Sequence, residues 1–138
     1  MDLTFTASEE AFAAEVRSWL AEHVEDPGPF GSVDEEVEWG RSWQATLAAD
    51  RMLAISWPTA VGGRGASPVE VALYNMEYAR SGAPQPINRV GISHVGPTLL
   101  ARGTVQQQRR WMPAILDASE LWCQLFSEPD AGSDLAAL

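Results

Sequence analysis

The hydrophobic positions of this chain recur at spacings of three and four residues, which is the period of an amphipathic helix. In the first such segment four apolar residues share one helical face: Phe12, Val16, Trp19 and Leu20. Thr6 stands three residues before Glu9, and this pair matches a capping box, so we expect a helix to begin there. A proline–glycine–proline run at 27–29 is a typical helix end.

Two more helices follow with recognisable boundaries. The second is predicted from Ser32 to Met52, and its acidic first turn suits the positive end of a helix dipole. The third begins after Ser67, where an N-cap serine, a proline and a capping-box acid stand in order, and it is expected to run to Arg80.

The loop between these helices, residues 57–65, reads WPTAVGGRG and contains three glycines and one proline. Such a composition requires a structured turn. The loop lacks the lysine and the spacing of a phosphate-binding P-loop, so a helix connector is favoured over a ligand loop.

The fourth and fifth helices complete the pattern. The fourth is predicted from Ile87 to Arg102, where Pro97 either kinks the helix or begins its second half. The fifth opens at a capping box on Thr104 and runs toward Leu116. About five helices joined mostly by short connections predict an antiparallel helical bundle.

After the fifth helix the period changes to two, and residues 121–126 are predicted to form a short strand. Trp122, Gln124 and Phe126 then share one face, which suits either a flat heterocycle or a neighbouring domain. The opposite face is expected to be core-like, and it carries the residues Leu121, Cys123 and Leu125.

A single strand is not stable alone, so this strand implies a sheet in a second domain. We therefore expect a helical domain at 1–120 and the first strand and loop of a β domain at 121–138. The predicted fold class is mainly α, with one short C-terminal strand from a truncated β domain. The chain is expected to be a piece of something longer.

Composition narrows the function classes. The chain contains no lysine, and nine arginines against nineteen carboxylates give a net charge of -10, which argues against nucleic acid and anionic membrane as partners. His23, His94 and Cys123 are too few and too scattered to predict a metal site. No apolar run approaches the roughly 18 residues of a membrane span, and the chain start has no basic region, so a cytoplasmic location is expected.

Six tryptophans are many for a domain of this size. Two interpretations remain open. The tryptophans either fill the core, or some of them form a wide apolar surface that another domain or subunit covers.

The sequence SEPDAGSD at 127–134 concentrates the groups that hold ligands: hydroxyls near both ends, a glycine and carboxylates. Glu128 suits either a general base or a structural carboxylate of its own turn. Ser133 with Asp134 suits either an N-cap pair or a ligand contact. Ser127 has no histidine near it in sequence, which argues against a serine nucleophile.

Residues 122–134, WCQLFSEPDAGSD, resemble the hallmark of the acyl-CoA dehydrogenase family, in which Thr or Ser precedes Glu-Pro and then Ala-Gly-Ser-Asp. The loop at 57–65 and the approach from Gly103 to Pro113 are similar to further family segments in the same order. The resemblance spans essentially the whole chain. Its lysine-free, arginine-rich composition is similar to that of actinobacterial members, some of which act on steroid side-chain thioesters.

The resemblance implies an FAD enzyme that introduces an α,β double bond into an acyl-CoA thioester, with electron-transfer flavoprotein as acceptor and a homo- or hetero-oligomeric assembly. It assigns flavin contacts to Gln124, Phe126 and Ser127, and a contact with the CoA part of the substrate to Ser133. No catalytic residue is assigned, because the family's base lies in a C-terminal domain. The isolated chain is therefore expected to be inactive. A non-catalytic helical partner subunit is the alternative function.

Overall fold

The structure is a computed structural model that describes residues 4–125. Five α-helices make up most of this part, and a mainly α fold class is confirmed. They are α1 (Ala7–His23), α2 (Val33–Ala49), α3 (Pro68–Ser81), α4 (Gly96–Arg102) and α5 (Val105–Leu116). A short 3-10 helix, Thr59–Val61, lies in the loop before α3, and a π-helix, Gly91–Val95, leads directly into α4.

All three capping boxes predicted from the sequence form. The side chains of Thr6, Ser67 and Thr104 each accept a hydrogen bond from the backbone N–H three residues later, and the backbone N–H of each of them donates to the side chain of that later residue. The Ser67 N–H, for example, donates to Glu70 Oε2 at 2.7 Å. These bonds satisfy N–H groups that have no partner inside a helix, so they fix where α1, α3 and α5 begin.

Two predicted helix boundaries are wrong. The second helix ends at Ala49 rather than Met52, because Arg51 adopts a left-handed conformation and the Met52 N–H donates back to the Leu47 carbonyl at 2.7 Å. The fourth is not one regular helix from residue 87, because its first part is π-helical. Pro97 stands in the first turn of α4, where a missing N–H is tolerated.

One hydrophobic core holds the helices together. Helices α1 and α3 form the most extensive helix pair, and α5 contacts both α2 and α4. The fully buried side chains include apolar residues from α1, α2 and α5, namely Val16, Leu20, Leu47, Met112 and Ile115. Burying such side chains supplies most of the stability of a bundle of this size.

The residues 50–66, here called the connection loop, also contribute to the core. Four of its side chains are buried: Met52, Leu53, Ile55 and Trp57. Its backbone folds on itself, because the N–H groups of Arg64 and Ala66 both donate to the Ile55 carbonyl. A Cβ on Gly63 would lie 2.1 Å from the Trp57 carbonyl oxygen, so the turn requires glycine there. The structured connector that the sequence predicts is therefore present.

The tryptophans of residues 4–125 all lie in the core or pack against it, and a surface covered by another domain stays an untested interpretation. Trp43 and Trp57 are buried, whereas the other four are half-buried and pack against the core: Trp19, Trp39, Trp111 and Trp122.

The residues 117–125, here called the exit segment, follow α5 and have no regular secondary structure. A strand is therefore not formed by residues 121–125, since a strand needs a partner and none lies beside it within residues 4–125. Leu121, Cys123 and Leu125 are all exposed, so the core-like face that they were expected to form in a β domain stays a prediction that residues 4–125 do not test. Alternation shows which side chains share a face but not what covers it.

Candidate functional site

A pair of buried amides connects the helices to the exit segment. Gln44 on α2 is fully buried, and its Nε2 donates to the carbonyl oxygens of Ile115 and Leu116 at 2.8 and 3.0 Å. Its Oε1 accepts the backbone N–H of Asn88 at 2.9 Å. Gln44 therefore joins the C-terminal end of α5 to the start of the fourth helical segment.

Asn88 extends this network to the exit segment. Its Nδ2 donates to the carbonyls of Ile115 and Glu120 at 3.1 and 2.9 Å, and its Oδ1 accepts the Trp122 N–H at 3.0 Å. Asn88 is 1 % exposed, so its side of each bond lies away from water. Hydrogen bonds of this kind are expensive to break, because the buried partners would be left unsatisfied.

Aromatic and charged contacts hold the same segment from the outside. The rings of Trp111 and Trp122 meet edge to face, with centroids 5.4 Å apart. Arg110 lies over the Trp111 ring at 4.3 Å and pairs with Glu120 at 2.6 Å. Arg41 on α2 donates to the Ala118 carbonyl.

Of the predicted site residues, only Gln124 lies in the described part. Its side chain is exposed near the end of the exit segment, with Leu121 41 % and Leu125 90 % exposed on either side. Phe126, Ser127 and Ser133 lie outside the described residues, as do Glu128 and Asp134. The structure therefore leaves Gln124 exposed, and it tests none of the site assignments, that of Gln124 included.

An FAD molecule would be compatible with this surface. The amide of Gln124 makes no hydrogen bond to residues 4–125, so it is available to the polar edge of a heterocycle. The exposed leucines provide apolar area beside it. Trp122 Nε1 is a buried donor without a partner in the same part of the chain. These residues would supply one wall of a flavin site rather than an enclosed pocket.

The residues Gln44 and Asn88 are not among those singled out from the sequence. A signal for Gln44 exists, because Gly40, Trp43, Gln44 and Leu47 occupy one face of α2 at helical spacing and all four are buried. A polar side chain on a buried face requires partners. No comparable signal marks Asn88, whose side-chain partners are 27 to 34 residues away in sequence.

The π-helix Gly91–Val95 lies directly beside this network. A Cβ on Gly91 would come within 2.5 Å of Asn88 Oδ1, so the missing side chain leaves room for the buried amide. The exposed His94 places its Nδ1 2.9 Å from Ser93 Oγ. Because Ser93 Oγ already donates to the Arg89 carbonyl at 2.5 Å, this pair suits a local structural contact better than an activated nucleophile.

A groove lies elsewhere, lined by α3, the connection loop and residues between 85 and 93. It measures about 490 Å³. Tyr74 and Tyr78 line it, and burial raises the pKa of Tyr78 to about 12 and raises that of Tyr74 further. The groove does not include Gln124, so it is separate from the predicted flavin contacts.

One buried carboxylate also lies apart from the exit segment. Glu77 on α3 accepts hydrogen bonds from Arg17 at 2.9 Å and from Arg80 at 2.7 Å, and these bonds hold the pKa of the Glu77 carboxyl below its usual range. Because both arginines neutralise it, the carboxylate ties α1 to α3 and is not placed to act as a base.

Residues 4–125 lack two further kinds of feature. No group of three or more His, Cys, Asp or Glu side chains in this range could hold a metal ion. No helix there is both long enough and apolar enough to cross a membrane.

Known proteins resemble this chain over nearly its full length. It is 45% identical over 137 residues to acyl-CoA dehydrogenase IpdE1 of Mycobacterium tuberculosis, an alignment that covers 94% of this chain and 35% of the relative. It is 34% identical to acyl-CoA dehydrogenase FadE26 of the same organism, covering 100% of this chain and 35% of that protein. The chain thus spans about a third of the length of these curated relatives.

Solved structures give the same result. The chain superposes on the ChsE4-ChsE5 complex from Mycobacterium tuberculosis with a TM-score of 0.78 and 32% identity, covering 100% of this chain and 35% of the matched one. The Tcur3481-Tcur3483 steroid ACAD matches with a TM-score of 0.73 and 32% identity, covering 100% and 36%. The model of the acyl-CoA dehydrogenase N-terminal domain matches residues 6–119. The chain therefore belongs to the acyl-CoA dehydrogenase N-terminal domain family.

Proposed function

We propose that this chain is the N-terminal domain of an FAD-dependent acyl-CoA dehydrogenase, which introduces an α,β double bond into a fatty or steroid-derived acyl-CoA thioester. The observation that carries the proposal is the exit segment. Buried amides hold it against the helical domain, and it presents Gln124 at an open surface immediately before the SEPDAGSD sequence. Matches to dehydrogenases over 94% to 100% of the chain support it.

The bound flavin would supply the hydride acceptor, and the residues of this chain would bind and orient it. Gln124 and Phe126 would line the heterocycle, and the Ser127 hydroxyl would donate to its polar edge. Ser133 would contact the CoA part of the substrate. Donors aimed at an electron-rich ring stabilise the reduced form.

We propose the remaining assignments on the same basis. Residues 1–120 form the helical domain and residues 121–138 begin a β domain, which agrees with a family match that ends at residue 119. Electron-transfer flavoprotein is the proposed electron acceptor. A cytoplasmic location agrees with the free and exposed Cys123, because exposed thiols persist in reducing compartments.

A second candidate function is a non-catalytic subunit in a two-protein dehydrogenase. It is favoured by the structural neighbours, since one is titled as a complex of ChsE4 with ChsE5 and another as Tcur3481 with Tcur3483. The two functions are distinguished by co-expressing the whole protein with a neighbouring family member and measuring flavin binding in the wild type and in Ser127→Ala. A catalytic subunit retains FAD contacts that depend on Ser127, whereas a non-catalytic one leaves flavin binding unaffected by Ser127→Ala.

Two substitutions in the whole protein test the assigned roles. We expect Ser127→Ala to weaken FAD binding by about 0.5–3 kcal/mol, because one hydrogen bond to the flavin is lost. We expect Ser133→Ala to raise KM for the acyl-CoA thioester and to leave FAD affinity unchanged. FAD affinity and flavin reduction rate that are both unchanged in Ser127→Ala would contradict the assignment.

A further inference from the structure

Both polar atoms of the Asn88 side chain bond to one short stretch of backbone, residues 115–122. Its two Nδ2 protons go to Ile115 and Glu120, and its Oδ1 accepts from Trp122. A buried amide with every group satisfied is a rigid connection, because rotation would break three bonds without water to replace them.

The backbone of Asn88 is fixed as well. Its N–H donates to Gln44 Oε1, and Gln44 in turn holds the end of α5 through Ile115 and Leu116. Asn88 is therefore bonded to the last turn of α5, and the exit segment is bonded to Asn88.

Space for this arrangement is provided by Gly91 in the π-helix. A Cβ there would lie 2.5 to 2.7 Å from three side-chain atoms of Asn88, so any larger residue would displace the amide. Glycine inside a helix usually lowers stability relative to alanine by up to about 1 kcal/mol. Its presence here is explained by contact with Asn88 rather than by helix formation.

We infer that Asn88 is a positioning residue that sets the place and direction in which the chain leaves the helical domain toward Gln124. The link to flavin binding rests on the proposed function, since Gln124 and the residues after it are the proposed flavin contacts. Asn88 itself is buried and would not contact the flavin. It acts through the backbone at Glu120 and Trp122.

Amide hydrogen exchange measured by NMR on the 138-residue chain tests the anchoring directly. The Trp122 N–H should be protected in the wild-type chain, because its acceptor is buried. In Asn88→Ala it should exchange at least about tenfold faster, while core amides such as that of Val16 change much less. Gly91→Ala should produce the same selective loss, although alanine favours the helix.

Gln108→Ala is the matched control. Gln108 Nε2 also bridges two backbone carbonyls, those of Leu99 and Gly103, but it does not contact the exit segment. Its removal should leave Trp122 protection unchanged. Equal protection of Trp122 in wild type, Asn88→Ala and Gly91→Ala would overturn the inference. So would an unprotected Trp122 N–H in the wild-type chain, a result that requires no variant to fold.

The flavin provides a separate readout in the whole protein. Asn88→Ala should shift the visible absorption of bound FAD and weaken its binding, and Gln108→Ala should do neither. If Trp122 behaves as expected but the whole protein never binds FAD, the anchoring stands and the proposed function fails. If FAD binds normally to Asn88→Ala, the positioning role fails and the proposed function stands.

Discussion

The connection loop and the exit segment are two irregular stretches beside the same helices, and different interactions hold them in place. The connection loop inserts four buried apolar side chains into the core and closes on its own backbone. The exit segment is held mainly by the side-chain amide of Asn88, whose own backbone is bonded to Gln44, and by the half-buried Trp122. Apolar anchoring makes a segment part of the global fold, whereas polar anchoring fixes a local position.

This difference has a consequence for function. A segment whose burial contributes to the core cannot be released without unfolding the domain. A segment held by a few directional bonds keeps a defined geometry, yet it exposes side chains such as Gln124 and Leu125 to a ligand or another domain. The proposed flavin contacts lie on the second kind of segment.

The largest expected effect is the loss of the connection loop's main anchor. Trp57→Ala removes a ring that is 4 % exposed and contacts Gly96, so it should lower the free energy of unfolding by about 3–5 kcal/mol. Chemical denaturation measures this change. Trp39→Ala, at a half-buried ring, is the control and should have a smaller effect. Equal losses would mean that the loop is not an integral part of the core.

A polar substitution should have a smaller and more local effect. Gln44→Met keeps the volume of the side chain but leaves the Asn88 N–H and the Leu116 carbonyl without their partner. We expect a loss of about 1–3 kcal/mol and faster exchange of the Trp122 amide. Gln108→Met serves as the control. The comparison fails if Gln44→Met destabilises the whole domain as much as Trp57→Ala while Trp122 stays protected.

Alkaline pH should weaken the connection loop more than the exit segment. The Tyr74 hydroxyl donates to the Met52 carbonyl, and burial raises its pKa above the ordinary value near 10. The folded chain therefore retains this proton more tightly than the unfolded chain. The resulting stability is complete below about pH 10 and is lost as the pH rises toward the folded-state value.

Tyr74→Phe removes both the hydrogen bond and the titrating group. It should cost about 0.5–1.5 kcal/mol at neutral pH and make the free energy of unfolding less dependent on pH above about 10. Denaturation at neutral and alkaline pH measures both changes, and exchange at Trp122 should stay unaffected. An identical alkaline slope in wild type and Tyr74→Phe would show that Tyr74 does not contribute to it.

The smallest effects are expected from ion pairs that lie on the two stretches. Arg110→Ala breaks the pair with Glu120, but the arginine is 57% exposed, so the loss should be below about 1 kcal/mol and should fall with added salt. Both arginines pair with a glutamate and lie over an aromatic ring, but Arg64 is only 23% exposed, so Arg64→Ala on the connection loop should cost more. Denaturation at two salt concentrations measures the loss of free energy of unfolding in each variant. A larger loss in Arg110→Ala than in Arg64→Ala would contradict the expected order.

Local signals in the sequence predicted much of the fold. The capping boxes at Thr6, Ser67 and Thr104 involve residues three apart, so they can be recognised without knowledge of tertiary structure. The end of α2 could not be located in the same way, because it depends on a left-handed Arg51 and on burial of Met52. The π-helix has no local signal beyond Gly91, whose reason is a contact with Asn88.

The candidate site was predictable only in part. The resemblance in residues 122–134 assigned Gln124, Phe126, Ser127 and Ser133, and of these the described part of the chain contains Gln124 alone. Periodicity could not predict that Leu121 and Leu125 would be exposed, because it does not show what packs on a face. Asn88 was missed, since its role depends on partners distant in sequence.

The most direct test of the proposed function is anaerobic titration of the whole FAD-loaded protein, with its partner subunit where one is required, by acyl-CoA thioesters. Absorption of oxidised flavin should disappear on addition of a straight-chain or a steroid-derived acyl-CoA thioester. The corresponding free carboxylic acids should have no effect. The 138-residue chain with added FAD should show no such change. An unchanged flavin spectrum of the whole protein with both classes of thioester would contradict the assignment as an acyl-CoA dehydrogenase.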